Sequence, residues 1–391
     1  MRLRRSAALL AVTTLALAAC GDDRQDIFTP EGDKAQDINR LQVPVFITAG
    51  VVGVLVFAAL AVAIVQGIRR RKDDADDPVQ LEGNFKIEIL WTIAPALLLA
   101  VIAVFTVATL FELDDAEAAP PEIADMEITV YGQQWWWAYE YDLDPAEDNG
   151  PEIITANDLV LPIGTDVTLN IESRDVIHSF WVPALNGTRD AVPGRTHSLV
   201  LQADEPGIYD GQCKEYCGLS HANMKNRVVA LTLDDFLTWL EQQQQTQPML
   251  AEGDAGFEGQ QLFIQRCTSC HQINGLETEE GDPIEVEGNA AVVALHAPNL
   301  THLMTRGVFA GALFDLYDPE TGEFNRDQLE AWIRNPPGEK PMYVPEEGTP
   351  RGMPDLGLTE AEIDAIVDYL TTLHPDGAEG PPLTVNSDTD D

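Results

Sequence analysis

Residues 211–224 read GQCKEYCGLSHANM, so Cys213, Cys217, His221 and Met224 follow one another within one short segment. The stretch just before it, HSLVLQADEPGIY at 197–209, carries the alternation and the Pro-Gly punctuation of strands, which makes 211–224 a loop at a strand end. One such loop can turn two thiolates, an imidazole and a thioether toward a single point. Only His178 has to come from elsewhere. The soft, mixed donor set favours copper, and the Met argues against zinc, which prefers a closed shell of Cys and His. A structural Cys2His2 zinc site and a Cys213–Cys217 disulfide stay open on these residues alone, the second because an exported chain tolerates disulfides.

Working outward, MEITVYG (126–132), LVLPIGTDVTLNI (159–171) and RVVALTL (227–233) have the same strand texture, and the region 124–233 is predicted to be an all-β sandwich. Residues 234–245 read as a helix running into a Gln-rich linker that ends near 251. Helical patterns resume over 252–375, where Thr359 and Glu362 form a capping box and Ile363, Ile366, Val367 and Leu370 share one face. The acidic, Pro-containing tail 376–391 is expected to be disordered.

Upstream, Arg2, Arg4 and Arg5 precede an apolar run at 7–17, the layout of an export signal. It ends in LAACG at 17–21, so 1–19 reads as a lipoprotein signal peptide with Cys20 as the lipid-bearing residue. After an external segment at 20–42 come two uncharged runs, 41–68 and 89–111, each long enough for the ~20 residues a membrane helix needs. They predict a transmembrane hairpin over 43–112, with helices at about 43–68 and 89–111. Arg69, Arg70, Arg71 and Lys72 after the first run put the connecting loop in the cytoplasm and the rest of the chain outside.

The net charge of −42, from 23 Lys+Arg against 65 Asp+Glu, excludes nucleic acid as a partner. A docking patch for a basic protein or a salt-rich habitat would each favour such acidity. Five Cys in 391 residues exclude a disulfide scaffold, and 45% hydrophobic residues suffice for several cores.

A second constellation is Cys267-Thr268-Ser269-Cys270-His271, the C-x-x-C-H of covalent haem c attachment, in which two thiols hold the haem and the His can ligate iron. No strand-turn-helix pattern surrounds it, which disfavours a thioredoxin-like pair. Met304, Met342 and Met353 are available on the other side of the iron, and a His/Met pair raises the haem potential. Assigning one Cys to lipid, two to copper and two to haem leaves no thiol over.

DVIHSFWVP (175–183), DAVPGR (190–195) and GQCKEYCGLSHANM resemble subunit II of haem-copper respiratory oxidases, whose cupredoxin domain holds the binuclear copper centre CuA. The spacing C-x3-C-x3-H-x2-M is highly specific to that family. The resemblance implies that Cys213 and Cys217 bridge two coppers, that His178 and His221 each complete one ion's set, and that Met224 is axial. It also implies that Glu215 binds through its carbonyl, with its side chain toward a magnesium ion at the border with the catalytic subunit. Two ions sharing two thiolates delocalise one electron, so the site relays electrons and offers no open position to substrate.

EILWTIAP (88–95) is also similar to the family. Glu88 matches a carboxylate near the mouth of a proton channel, although a Glu at a membrane border is cheap to expose in any case. In the run Gln134-Trp135-Trp136-Trp137, Trp135 matches the residue through which electrons reach CuA. Alternate strand residues point to opposite faces, so at least one of the three tryptophans is expected near the surface. RGMPDLGLTEAEIDAIVDYL (351–370) resembles the distal-methionine segment of small class I cytochromes c and favours Met353, with Met342 in KPMYVP second. HAPNL (296–300) resembles the loop supporting the proximal His, and Gly259 and Phe263 should meet Tyr369 and Leu370 where the first and last helices cross.

The expected protein is thus a bacterial cell-membrane subunit II with a fused haem c domain, similar to the caa3 type. Subunits I and III of the oxidase, membrane lipid, and cytochrome c or a quinol-cytochrome c reductase as donor are the implied partners. The rival readings are an electron-entry subunit of a nitric oxide or nitrous oxide reductase and a free-standing electron-transfer lipoprotein. A quinol-oxidase subunit is disfavoured because those relatives lack the copper ligands.

Overall fold

A computed structural model describes residues 25–70, 82–147, 153–276, 297–343, 351–378 and 380–381. The signal peptide, Cys20, Arg71 and Lys72, residues 277–296 and most of the tail lie outside the described residues.

Two long helices come first, α1 (Asp33–Arg70) and α2 (Phe85–Asp114). No residue in the most apolar stretch of either helix is buried within the protein, as expected of helices surrounded by hydrocarbon. Both contain the expected spans, but α1 starts well before 43. Its first turns are held by the β domain: Lys34, 6% exposed, donates to the Asp115 carbonyl at 2.7 Å and pairs with Asp166 at 3.5 Å, while Ala35 N–H donates to the Leu185 carbonyl. One lysine therefore joins the outer ends of both helices to the sandwich.

The β domain packs two sheets face to face. The larger has the strand order β3-β2-β1-β5-β8 and comprises β1 (Glu127–Gln133), β2 (Trp136–Asp142), β3 (Ile153–Ala156), β5 (Val167–Ser173) and β8 (His197–Leu201). The smaller is ordered β4-β10-β9, from β4 (Asp158–Pro162), β9 (Gly207–Gln212) and β10 (Lys225–Leu231), and β6 (His178–Phe180) pairs separately with β7 (Arg189–Ala191). β1 runs parallel to β5, and β4 parallel to β10. Fully buried Ile128, Val130, Leu169 and Ile171 alternate along β1 and β5, as one-sided sheets require. Tyr141 fastens the two sheets, since its hydroxyl both donates to the Val160 carbonyl and accepts from the Val160 N–H.

The expectation that one tryptophan would be near the surface is corrected: Trp135, Trp136 and Trp137 are 3%, 7% and 0% exposed. Trp137 faces the sandwich core, edge-on to Phe180 at 5.2 Å. Trp136 points the other way, as strand alternation demands, yet it is covered, packing with Ala138, Ala156 and Tyr131 and lining a cavity that residues of the C-terminal domain also line.

That domain follows α3 (Leu233–Gln243). It is built from α4 (Phe257–Arg266), α5 (Arg326–Arg334) and α6 (Glu360–Leu370), with a small hairpin of β11 (Val308–Phe309) and β12 (Phe314–Asp315). The capping box at Thr359 and Glu362 starts α6. α4 and α6 cross as expected, with Phe263 and Tyr369 rings 5.7 Å apart. Gly259 makes the crossing possible, because any Cβ there would strike the Ala365 carbonyl and come within 2.7 Å of Tyr369 Cβ. Gly259→Val should cost about 3 kcal/mol by overpacking, lowering the melting temperature of the extramembrane domains followed by circular dichroism.

Candidate metal centre and haem cavity

The 213–224 loop leaves β9 and returns into β10, so one β-hairpin carries Cys213, Cys217, His221 and Met224, while β6 supplies His178. One atom each of His178, Cys213 and Cys217 lies within 4.8 Å of the others. The two sulfurs are 3.8 Å apart. His178 Nδ1 stands 3.9 Å from Cys213 Sγ, and His221 Nδ1 stands 3.6 Å from Cys217 Sγ, so each imidazole flanks one sulfur. Met224 Sδ lies 3.8 Å from Cys217 Sγ, and the Glu215 carbonyl lies 3.3 Å from Cys213 Sγ. A sulfur pair with one nitrogen at either end fits two soft ions side by side, and the buried thioether suits copper better than zinc.

The electrostatics fit the same group. The hydrogen bond from the Cys217 thiol, with further help from His178, holds Cys213 below the usual thiol range against the desolvation that opposes its charge. That same bond, with burial, pushes Cys217 well up. Burial works against a charge on His178, but the Asp175 carboxylate, 2.8 Å from Nε2, more than offsets it and raises the pKa. Asp175 thereby turns Nδ1 toward the sulfurs, the usual job of a carboxylate behind a metal-binding histidine. It was missed in the sequence, although its place three residues before His178 was a usable signal.

Cys267, Cys270 and His271 line a cavity of about 480 Å³. Cys267 and Cys270 follow α4, and His271 Nδ1 lies 2.8 Å from the Pro298 carbonyl, which leaves Nε2 for iron. Met353 and Met342 both line the cavity. Met304, the third sequence candidate, is buried in the domain core and is not among the cavity residues. Arg306 also lines it, 4% exposed, with Nε and Nη1 unpartnered although Nη2 donates to the Asn299 carbonyl. Burial lowers its pKa to about 10, with Asp158 partly offsetting the loss. Two orphan donors on a buried guanidinium at an apolar cavity fit the carboxylates of haem, so the residues present suit the group. No sequence motif marked Arg306.

Trp135 and Trp136 line this same cavity. Trp135 Nε1 donates to the Cys217 carbonyl at 3.2 Å, and Gln134 Nε2 donates to the same oxygen at 2.7 Å. The indole therefore spans the interval between the haem cavity and the copper loop. Glu215 is exposed at the rim of that loop beside Tyr216 and Leu219, and Glu88 sits in the first turn of α2, far in sequence from both centres.

Three families match consecutive parts of the chain: cytochrome c oxidase subunit II, transmembrane domain, over 25–109; its periplasmic domain over 142–231; and cytochrome c over 257–374. The cytochrome c oxidase subunit 2 of Alkalihalophilus pseudofirmus is 34% identical over 373 residues, covering 93% of this chain and 95% of that one. The subunit 2 of Bacillus sp. strain PS3 is 33% identical over 315 residues, covering 78% of this chain and 79% of the relative. The periplasmic domain of subunit II of cytochrome oxidase from Bradyrhizobium japonicum is a similar solved structure, at 29% identity and TM-score 0.28, covering 32% of this chain and 96% of that one. With copper- and haem-binding families in series behind two apolar helices, the chain belongs to the cytochrome c oxidase subunit II family and carries a C-terminal cytochrome c domain, which makes it a membrane-anchored subunit of an oxidoreductase.

Proposed function

We propose that this subunit accepts electrons from an external donor at a covalent haem c, relays them to a binuclear CuA centre, and delivers them to a haem-copper catalytic subunit that reduces oxygen to water with proton translocation. The observation that supports this reading is Trp135, which borders the haem cavity on one side and hydrogen-bonds the carbonyl of Cys217 on the other. In this role the haem supplies a one-electron couple and the copper pair a second. The protein's part is to hold both still and dry.

Cys213, Cys217, His178 and His221, with Met224 and the Glu215 carbonyl, would hold the copper pair. Cys267 and Cys270 would anchor the haem, and His271 and Met353 would ligate its iron. Residues 124–233 act as the copper unit and 252–375 as the haem unit, both outside a bacterial cell membrane spanned by 43–68 and 89–111. Glu88 serves the mouth of a proton channel, and the Glu215 side chain faces a magnesium ion at the border with subunit I. Subunit III completes the complex, and cytochrome c or a quinol-cytochrome c reductase is the donor. A fused haem domain turns a collision into an intramolecular step at high effective concentration.

Copper, zinc and haem quantitation with electron paramagnetic resonance on the exported fragment tests the reading. Two coppers sharing one unpaired spin and one low-spin haem per chain are expected. A colourless fragment holding zinc alone after growth in abundant copper would overturn it.

A further inference from the structure

The two extracytoplasmic domains do not meet at an ordinary polar surface. Lys340, from the haem domain, is 2% exposed and borders the haem cavity. Its Nζ donates at 2.6 Å to the backbone carbonyl of Trp135 in the copper domain and at 2.7 Å to the carbonyl of Ala310 in its own domain. Three consecutive residues beside it, Ala310, Gly311 and Ala312, have positive φ values of 55°, 77° and 54°. Two of them are alanines, which rarely adopt that conformation, so the surrounding contacts must hold the turn. The turn is pressed against the copper domain: the Gly311 carbonyl accepts from the N–H of Lys225, directly after Met224, at 3.0 Å. A Cβ on Gly311 would strike both Lys340 Nζ and the Trp135 carbonyl. Ser220, between Cys217 and His221, donates its hydroxyl to the Pro341 carbonyl.

The interdomain contacts of Lys340, Gly311 and Ser220 end on Trp135 or on the hairpin that carries Cys213 to Met224, while the Gly307–Asp158 bond ties the domains elsewhere on the interface. A tether that needed no alignment would not have to bury an ammonium group against the Trp135 carbonyl. We propose that Lys340 and the left-handed turn 310–312 are positioning elements for interdomain electron transfer: they clamp the haem domain onto the backbone of Trp135 and fix the haem-to-indole separation. This inference rests on the proposed haem-to-CuA relay. The step itself moves one electron, oxidising ferrous haem and reducing the copper pair, with no bond made or broken and no proton required. Lys340 touches neither metal and acts through Trp135.

The test is rapid photoreduction of haem c in the assembled oxidase, following re-oxidation of the haem and reduction of CuA separately. Lys340→Met removes both donors at nearly constant length. Gly311→Ala keeps every charge and wedges a methyl into the clamp. Electron tunnelling weakens with every added fraction of an ångström between haem and indole, so a several-fold slower haem-to-CuA step is expected in both variants. The KM for the external donor, the haem absorbance and the CuA resonance should stay as in the unmodified enzyme. An unchanged intramolecular rate in either variant that assembles with both cofactors overturns the proposal. If Lys340→Met fails to assemble, Gly311→Ala decides alone. Absence of haem-to-CuA transfer in the unmodified enzyme would instead overturn the relay itself.

Discussion

Replacing Cys217 with Ser is expected to abolish the binuclear copper resonance and bring oxygen consumption to background, while the haem remains bound and reducible by its donor. Cys217 Sγ lies within 3.8 Å of Cys213 Sγ, His221 Nδ1 and Met224 Sδ. A serine hydroxyl there is a hard donor that does not ionise at neutral pH, so it can neither bridge soft ions nor balance their charge. The Cys217 carbonyl bonded to Trp135 belongs to the backbone and survives the substitution. Electrons should therefore accumulate on the haem with nowhere to go. Electron paramagnetic resonance and haem re-oxidation kinetics on the purified variant check this, and a retained two-copper spectrum would refute the ligand assignment.

Asp158→Ala should bring the largest loss of stability away from either cofactor. Asp158, 5% exposed in β4, accepts two bonds from Arg227, at 2.9 and 3.2 Å, and a third at 2.7 Å from the Gly307 N–H of the haem domain. It also offsets the buried charge of Arg306, next in sequence to Gly307. Removing one partner of a buried ion pair leaves an uncompensated charge and costs about 3–5 kcal/mol. Because the carboxylate bonds both domains, denaturant unfolding read at the haem and at the copper centre should separate into two transitions. Asp158→Asn, which keeps the shape and one acceptor, should cost less. A single unshifted transition in Asp158→Ala would show that this node does not join the domains.

Both centres were legible in the sequence for the same reason. Cys267, Cys270 and His271 lie within one turn, and Cys213 to Met224 within one hairpin loop, so chain geometry alone limits where those side chains can point. The two spans were legible because hydrocarbon demands an uninterrupted apolar length. The capping box at Thr359 was equally local. The burial of three consecutive tryptophans was not, since strand alternation sends Trp136 away from the sandwich core and nothing nearby in the chain says what covers it.

By itself, then, the sequence determined which families of unit the chain contains and which side chains lie close enough to be gathered in each, because those patterns close over a few neighbouring residues. Tertiary structure alone decided how the units face each other. The Lys340–Trp135 bond joins positions 205 apart, and the Asp158–Gly307 bond positions 149 apart. Asp175 behind His178 and Arg306 at the haem cavity likewise acquired meaning only once folding had removed water around them. Desolvation makes a long-range charge or hydrogen bond strong, and no local period in a sequence encodes which distant surface will exclude the water.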